Sequence, residues 1–239
     1  MESPVISFTF DDFPRSALLT GGTILHERGF AGTYYASFGL MGSRGPTGEI
    51  FVREDLDELV QRKHELACHT FDHCDSWGTA SNEFEASILR NQRAVAERLP
   101  GTKLNSLSYP ISWPRPETKR RVATYYECAR GSGQTFNAGT EDLNYLKAFF
   151  IEQSRGNFSE IKQVIDANAR AKGWLIFATH DVCDQPTRFG CTPAFFERIV
   201  EHSAKSGAIV LPVHAAFRRI AQDKNRPLFV ETTQNNPGF

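Results

Sequence analysis

The chain has 239 residues, 40% of them hydrophobic and 12% aromatic, which is enough to bury one large core and gives no sign of a second domain. Its 27 Lys and Arg residues nearly balance 28 Asp and Glu residues without a dense basic run, which argues against nucleic acid or an anionic membrane as partner. No window holds the roughly 18 apolar residues of a membrane helix. The first strand begins within a few residues of the start, so we expect no signal peptide and a cytoplasmic location. These features do not predict an oligomeric state.

Short apolar runs alternate with helical patterns along the chain. Strands are predicted at residues 5–10, 32–38, 65–68, 106–109, 127–129, 146–151, 174–178 and 208–211. Helices are predicted at residues 16–28, 53–63, 82–99, 117–126, 159–172, 193–206 and 214–221. Asn82 and Glu85 are spaced as a capping box, and Thr192 is the predicted cap of the helix that begins with Pro193. The polar residues 223–239 form a C-terminal tail.

This alternation predicts a fold of the α/β class. Seven or eight strands with helices between them form a parallel sheet, and at this length a closed barrel is favoured over an open doubly wound sheet. No Gly-x-Gly-x-x-Gly follows the first strand, which argues against a dinucleotide site. The five cysteines are odd in number and lack Cys-x-x-Cys spacing, so we expect free thiols.

Reactive side chains follow the predicted strands. In parallel barrels the chemistry lies at the carboxyl ends of the strands, so these residues are expected to converge on one mouth. The residues at those ends are Asp11 and Asp12, His69 and His73, Tyr109 and Pro110, Arg130, and His180 and Asp181.

The adjacent carboxylates Asp11 and Asp12 suggest a division of labour. Two neighbouring carboxylates repel each other, and their surroundings can give them different pKa values, so that one holds a cation and the other acts as a base. His69 and His73 are four positions apart, a spacing that lets both imidazoles grip one ion beside Asp12. Arg130 is either a surface charge or a buried partner of Asp11.

The remaining histidines and the tryptophans are predicted to have no role in metal binding or acid–base catalysis. We interpret His26, His64, His202 and His214 as ordinary hydrogen-bonded residues, because none ends a strand beside other ligand types. Trp77 and Trp113 lie in predicted loops, where a flat ring can stack on a sugar, whereas Trp174 enters a strand and belongs to the core.

Four sequence motifs together resemble the polysaccharide deacetylase family, the NodB-type carbohydrate esterases. The likeness runs over residues 5–213 and implies a distorted (β/α)7 barrel, similar to a TIM barrel, with residues 1–222 as the catalytic domain. The motifs are Thr9-Phe10-Asp11-Asp12, His69-Thr70-Phe71-Asp72-His73, Ser108-Tyr109-Pro110 and Leu175-Ile176-Phe177-Ala178-Thr179-His180-Asp181.

The resemblance implies a role for most of these residues. Asp11 would be the general base and His180 the general acid. The ligands of a divalent metal would be Asp12, His69 and His73; Zn²⁺ is expected, with Co²⁺, Ni²⁺ or Fe²⁺ as alternatives. The backbone N–H of Ile111 would contact the oxyanion, and Ile176 would border the pocket for the acetyl methyl group. The substrate side of the cleft would also include Tyr109, Pro110, Phe13, Trp77 and Trp113.

The chain departs from the family pattern in four places. Phe13 replaces the usual Gly after the paired Asp, which predicts a narrowed or reshaped cleft. Ser108 stands where an Arg is common, so we expect Arg130 to orient Asp11. Ile111 and Ser112 replace an aromatic residue and a Gly. The fourth family motif is not recognisable around residues 129–137, and Asp142 and Asp184 are the candidates to orient His180.

The leading functional hypothesis is metal-dependent removal of N-acetyl groups from an acetamido sugar or polysaccharide. The first alternative is the same machinery acting on an O-acetyl ester, a formamide or a cyclic amide. A non-haem Fe(II) oxygenase would use similar ligands but usually sits on an antiparallel jelly roll. A non-catalytic carbohydrate-binding barrel would need neither a base nor an acid.

Overall fold

The computed structural model describes residues 3–111 and 113–222, so the tail predicted at residues 223–239 lies outside the described residues. The strands are β1 Val5–Phe10, β2 Thr33–Ala36, β3 Arg44–Gly45, β4 Gly48–Glu49, β5 Glu65–Cys68, β6 Ser106–Ser108, β7 Cys128–Arg130, β8 Phe149–Phe150, β9 Trp174–Thr179 and β10 Ile209–Val210. The helices are α1 Thr23–His26, α2 Arg53–Gln61, α3 Ser81–Arg98, α4 Pro116–Val122, α5 Phe158–Ala171, α6 Pro193–Lys205 and α7 Val213–Gln222. A π-helical segment, Ala17–Gly22, precedes α1, and 3₁₀ turns form at Phe38–Leu40 and Ile151–Ser154.

Within the described residues, eight strands form one parallel sheet in the order β7-β6-β5-β2-β1-β9-β8, with β10 beside β1. β1 pairs with β9 along its whole length, while its other edge pairs first with β10 and then with β2. The two ends of the order meet where Arg130 bridges Leu146, and the Gly131 N–H donates to the Leu146 carbonyl at 2.9 Å. The sheet therefore curls into the predicted distorted (β/α)7 barrel.

The two faces of the sheet have different neighbours because successive strand residues point to opposite sides. Outward, Phe8 and Phe177 stack with ring centroids 5.5 Å apart and pack against Phe196 of α6. Inward, Trp174 and its alternate neighbours on β9 fill the barrel, and the Trp174 indole donates to Ser7 Oγ at 3.0 Å. The inner core therefore mixes apolar and polar side chains.

Helix α7 closes the amino-terminal end of the barrel. Its Val213 N–H donates to Thr33 Oγ1 at 2.8 Å, and its His214 N–H donates to Glu65 Oε2 at 2.9 Å. Thr33 and Glu65 are the first residues of β2 and β5, so this end is capped. The opposite end carries the strand-end residues that the sequence singled out.

Several local predictions need correction. The strand predicted at 146–151 is reduced to Phe149–Phe150, and the chain then turns through Ile151–Ser154. The capping box of Asn82 and Glu85 is wrong, because α3 begins at Ser81 and Glu85 instead accepts a hydrogen bond from Arg121. The hairpin of β3 and β4 was not predicted.

Other local predictions are confirmed. Thr192 caps α6, accepting from the Phe195 N–H, and the cysteines are free.

Among the described helices, none is long and apolar enough to cross a membrane.

Candidate active site

Asp12, His69 and His73 meet at the carboxyl ends of β1 and β5. Their ligand atoms all lie within 4.8 Å of one another. Asp12 Oδ1 is 3.0 Å from His73 Nε2 and 3.5 Å from His69 Nε2. Asp12 and His69 are buried, whereas His73 is about one quarter exposed. The three residues predicted as metal ligands therefore do come together.

The surroundings of His69 prepare one nitrogen for a ligand. His69 Nδ1 lies 2.9 Å from the Ser108 carbonyl oxygen, which can only accept, so Nδ1 carries the proton and Nε2 keeps its lone pair. Burial lowers the pKa of His69 to about 4 against the opposing effect of Asp11. The imidazole is therefore neutral at pH 7, the form that a metal ion requires.

The two oxygens of Asp12 have different environments. Oδ2 accepts a hydrogen bond from Thr47 Oγ1 at 3.0 Å, whereas Oδ1 is buried and accepts none. Burial opposes ionisation, but His73 and His69 hold the pKa of Asp12 below its usual value. A buried anionic oxygen without a donor is costly unless a cation faces it. Two imidazole nitrogens and this oxygen therefore fit a divalent metal such as Zn²⁺.

Asp11 faces a different partner. A guanidinium N–H of Arg130 donates to Asp11 Oδ1, and Ser108 Oγ donates to Oδ2 at 3.4 Å. Burial would raise the pKa of Asp11, but the charge of Arg130 outweighs it and the pKa lies below its usual value. The predicted ion pair between Arg130 and Asp11 is present.

Arg130 reaches Asp11 from β7, the strand next to the one that carries Ser108. Ser108 on β6 is the direct parallel neighbour of Arg130 on β7. The guanidinium is buried. Its central carbon lies over the Tyr35 ring, 4.6 Å from the ring centroid, in a cation–π contact. In the family that the motifs resemble, an arginine is expected at the position of Ser108. Here the positive charge beside Asp11 comes instead from Arg130, on the adjacent strand.

His180 follows β9 and is held by its own loop. The Phe189 carbonyl lies 3.1 Å from His180 Nδ1 and 3.3 Å from its backbone nitrogen. Because a carbonyl only accepts, Nδ1 carries a proton and Nε2 is the atom available for chemistry. The loop is fixed by buried Asp181, which accepts from the Thr187 N–H at 2.7 Å and its hydroxyl at 2.6 Å.

Glu152 is a site residue that the sequence predictions missed. Its Oε1 is 4.0 Å from His180 Nδ1, and its Oε2 is buried with no hydrogen-bond partner. Burial raises the pKa of Glu152 to about 8, and the charge of Asp11 adds to the effect. The residue directly follows the strand predicted at 146–151, so the strand-end rule could have found it.

Neither candidate for orienting His180 lies against it. Asp142 accepts a hydrogen bond from Lys119, and Asp184 is exposed. Within the described residues, no hydrogen bond or ion pair joins either one to the imidazole. The prediction of Asp142 or Asp184 is therefore wrong, and the Phe189 carbonyl holds the ring.

Four of the predicted substrate contacts are buried, namely Phe13, Ile176, Tyr109 and Pro110. Phe13 has a left-handed backbone, with φ of 54°, and its ring stacks on Phe51 at 4.7 Å. The Phe13 side chain has no exposed surface, so the ring does not itself line the cleft, and the prediction that Phe13 reshapes the cleft stays untested. Ile176 is likewise fully buried in the inner core. Tyr109 is almost fully buried, and its hydroxyl donates to the Asn144 carbonyl at 3.1 Å.

The loops after β5 and β6 form an apolar rim. Trp77, Ile111 and Trp113 are 57%, 70% and 66% exposed. The Ser76 hydroxyl donates to the Pro110 carbonyl at 2.9 Å and ties the two loops together. Ile111 has a left-handed backbone with φ of 66°. These residues are placed where a bound molecule can reach them, and Pro110 is buried beneath them.

Comparison with known families gives one match, a family model described as polysaccharide deacetylase over residues 1–128. The matched range includes Asp11, Asp12, His69 and His73. It does not include Arg130 or His180, so their assignments rest on the geometry above. Among curated proteins, none matches the chain.

Several solved structures share this fold at low sequence identity. The family 4 carbohydrate esterase from Streptomyces lividans in complex with acetate has a TM-score of 0.58 at 18% identity, covering 87% of this chain and 91% of that one. The Xyl-CE4 domain of a multidomain xylanase from the hindgut metagenome of Trinervitermes trinervoides has a TM-score of 0.63 at 16% identity, covering 92% of each chain.

A third solved structure is described as a CE4 family pseudoenzyme from Bacillus anthracis. It has a TM-score of 0.60 at 10% identity, covering 89% of this chain and 65% of that one. At these low identities the likeness establishes the fold. Because a pseudoenzyme shares it, activity has to be argued from the site residues.

Proposed function

Because the chain belongs to the polysaccharide deacetylase family, we propose that it is a metal-dependent hydrolase that removes the N-acetyl group from an acetamido sugar or polysaccharide. The observation that carries the proposal is the separation of the two adjacent carboxylates. Asp12 faces His69 and His73, whereas Asp11 faces Arg130. One carboxylate is thus set up as a ligand and the other as a base.

Asp11 acts on the attacking water. An amide is a poor electrophile and water a poor nucleophile, so both need help. A divalent metal held by Asp12, His69 and His73 would polarise the acetyl carbonyl and can lower the pKa of bound water from about 15.7 to about 7. Asp11, kept ionised and oriented by Arg130, accepts the water's proton during attack.

His180 acts on the leaving group. The amine nitrogen must gain a proton before the carbon–nitrogen bond breaks, since otherwise the tetrahedral intermediate expels water again. His180 Nδ1 is engaged by the Phe189 carbonyl, so the proton is delivered from Nε2. Acid or base catalysis of this kind typically supplies about 10²–10⁴-fold each.

The rim supplies the remaining contacts in this proposal. The backbone N–H of Ile111 would donate to the oxyanion, a contact of the kind whose loss costs about 10²–10³-fold in kcat. Trp77 and Trp113 would stack on sugar rings, which their exposure supports. The substrate is therefore proposed to lie across the loops after β5 and β6.

The second candidate is hydrolysis of an O-acetyl ester, a formamide or a cyclic amide by the same residues. The relocated arginine and the replacement of the family's aromatic residue and Gly by Ile111 and Ser112 favour it, because they change the surroundings of the same base and ligands. The third candidate is a non-catalytic carbohydrate-binding barrel; a structure of this fold from Bacillus anthracis is described as a pseudoenzyme. Binding alone would not require the buried ion pair of Asp11 and Arg130, which keeps a base ionised.

The test begins with metal analysis of protein purified without chelator, followed by assays on acetamido sugars, O-acetyl esters, formamides and cyclic amides. We expect acetate release from acetamido sugars, its loss with chelator and its return with Zn²⁺. Asp11→Asn should lower kcat by about 10²-fold or more, while the exposed control Asp184→Asn should leave it unchanged. A protein that binds no divalent ion, or an Asp11→Asn variant with full activity, would contradict the proposal.

A further inference from the structure

Thr47 lies in the hairpin between β3 and β4, at a position that is normally exposed. Short hairpin turns run over the protein surface, and the Arg44 and Glu49 side chains of this hairpin are 79% and 62% exposed. Thr47 is nevertheless only 3% exposed. Its side chain turns inward, toward the end of β1.

The Thr47 hydroxyl contacts one oxygen of the metal-ligand candidate Asp12. Thr47 Oγ1 is 3.0 Å from Asp12 Oδ2 and donates to it, since an ionised carboxylate only accepts. The other oxygen, Oδ1, accepts no hydrogen bond and faces the nitrogens of His69 and His73. The hydroxyl therefore occupies one oxygen and leaves the other for a cation.

The hairpin is attached to the segment that carries Asp12. The Phe51 N–H donates to the Phe13 carbonyl at 3.0 Å, and Ile50 forms an antiparallel bridge with Pro14. Gly48, next to Thr47, has φ of 108°, a conformation that favours glycine and allows the tight turn. The hydroxyl is thus held at a fixed place relative to the carboxylate.

We propose that Thr47 is a positioning residue that holds Asp12 so that one carboxylate oxygen, Oδ1, binds the divalent metal. The proposal rests on the proposed function, because it takes Asp12, His69 and His73 as the ligands. Without the hydroxyl, Oδ2 would be buried with no donor and the carboxylate would be free to rotate, so ordering it would cost affinity on binding. Partners of this kind are typically worth about 10–100-fold in metal affinity.

The experiment is a calorimetric titration of chelator-treated protein with Zn²⁺ at fixed pH. Thr47→Val keeps the shape but removes the hydroxyl, and Thr47→Ser keeps the hydroxyl. Ser43→Ala is the matched control, because Ser43 lies in the same loop and donates to the Leu40 carbonyl instead. We expect Thr47→Val to raise the Kd for Zn²⁺ about 10- to 100-fold, with Thr47→Ser and Ser43→Ala near the wild-type value.

A second readout separates positioning from general damage to the fold. Activity lost in Thr47→Val should return as Zn²⁺ is raised toward saturation, whereas a distorted site would stay inactive. If Thr47→Val does not fold, as judged by thermal unfolding without metal, Thr47→Ala and Thr47→Ser give the same comparison.

Three outcomes decide against these ideas in different ways. A wild-type Kd in the variants without the hydroxyl overturns the role of Thr47. Equal weakening in Thr47→Val and Thr47→Ser also overturns it, because the contribution would then come from packing. A wild-type protein that binds no Zn²⁺ contradicts the proposed function itself, and this proposal with it.

Discussion

At the amino-terminal end of the barrel the carboxylate of Glu65 is fully hydrogen-bonded, whereas at the carboxyl-terminal end Asp12 and Glu152 each keep a buried oxygen without a donor. The donors to Glu65 are the Thr33 hydroxyl, the Ser106 hydroxyl and the His214 N–H. One end therefore uses its carboxylate to join β2, β6 and α7. The other end leaves acceptor capacity that a ligand can fill.

Left-handed backbone conformations cluster at the carboxyl-terminal end of the barrel, the reactive end. Asp12, Phe13, Thr70, His73 and Ile111 all have φ between 53° and 66°, and each follows the carboxyl end of a strand. A left-handed backbone costs a non-glycine residue roughly 1–2 kcal/mol. Strain of this kind persists only where the surroundings impose it, and it is typical of functional sites. Lys63 and Lys172, which precede β5 and β9 at the amino-terminal end, are also left-handed, but each follows the end of a helix, where this conformation is common.

The largest expected effect tests whether the Asp11 and Arg130 pair belongs to the reactive end. Arg130→Met leaves Asp11 buried without its cation, and breaking a buried pair typically costs about 3–5 kcal/mol. The base is also no longer oriented, so kcat should fall by roughly 10²-fold. Urea unfolding and steady-state kinetics measure the two effects.

The matched change at the other end is Glu65→Gln. Its amide oxygen still accepts, and the two hydroxyls can reorient, so we expect a loss of about 1 kcal/mol or less. The kcat and the Kd for Zn²⁺ should remain at wild-type values. A Glu65→Gln protein as inactive as Arg130→Met would break the distinction between the two ends.

An intermediate effect is expected from Glu152→Gln in metal-free protein. The pKa of Glu152 rises from about 4.5 to about 8 on folding, so the folded state binds more protons than the unfolded state between these values. Stability should therefore fall as pH rises through this window, by up to about 5 kcal/mol in total. Glu152→Gln should remove this slope and be the more stable protein above pH 8, as measured by urea unfolding across pH.

A different pH dependence of stability would contradict the raised pKa of Glu152. If wild type and Glu152→Gln lose stability in parallel across the window, Glu152 ionises normally and is not an unsatisfied group of the reactive end. Asp184→Asn, an exposed carboxylate on a neighbouring loop, is the control that should keep the wild-type slope.

Much of the fold could be predicted because its signals are local and periodic. Apolar runs mark β1 and β9, and the rule that parallel strands expose chemistry at their carboxyl ends brought Asp12, His69 and His73 together. The same rule left Arg130 as either a surface charge or a partner of Asp11, and the absence of the family arginine at Ser108 made it the expected partner. Glu152 directly follows the strand predicted at residues 146–151, so the same rule also points to it.

The rest depends on contacts that the sequence does not encode locally. Thr47 lies in a hairpin of two-residue strands without an apolar pattern, so nothing near it indicates that its hydroxyl reaches Asp12. The position of Phe13 directly after Asp12 in sequence predicts a place beside the cleft. The consecutive left-handed backbones of Asp12 and Phe13 instead turn the ring into the core, where it stacks on Phe51.

The smallest expected effect concerns the rim of the reactive end. Trp77 and Trp113 are more than half exposed, so Trp77→Ala and Trp113→Ala should change stability by about 0.5 kcal/mol or less. If they stack on sugar rings, each should raise KM several-fold for an oligosaccharide while leaving kcat near wild type, because the contact is made equally in the ground and transition states. The KM for a single acetamido sugar should change less than that for the oligosaccharide. A drop in kcat with unchanged KM would instead place these rings against the reacting group, and the rim would then belong to the catalytic centre.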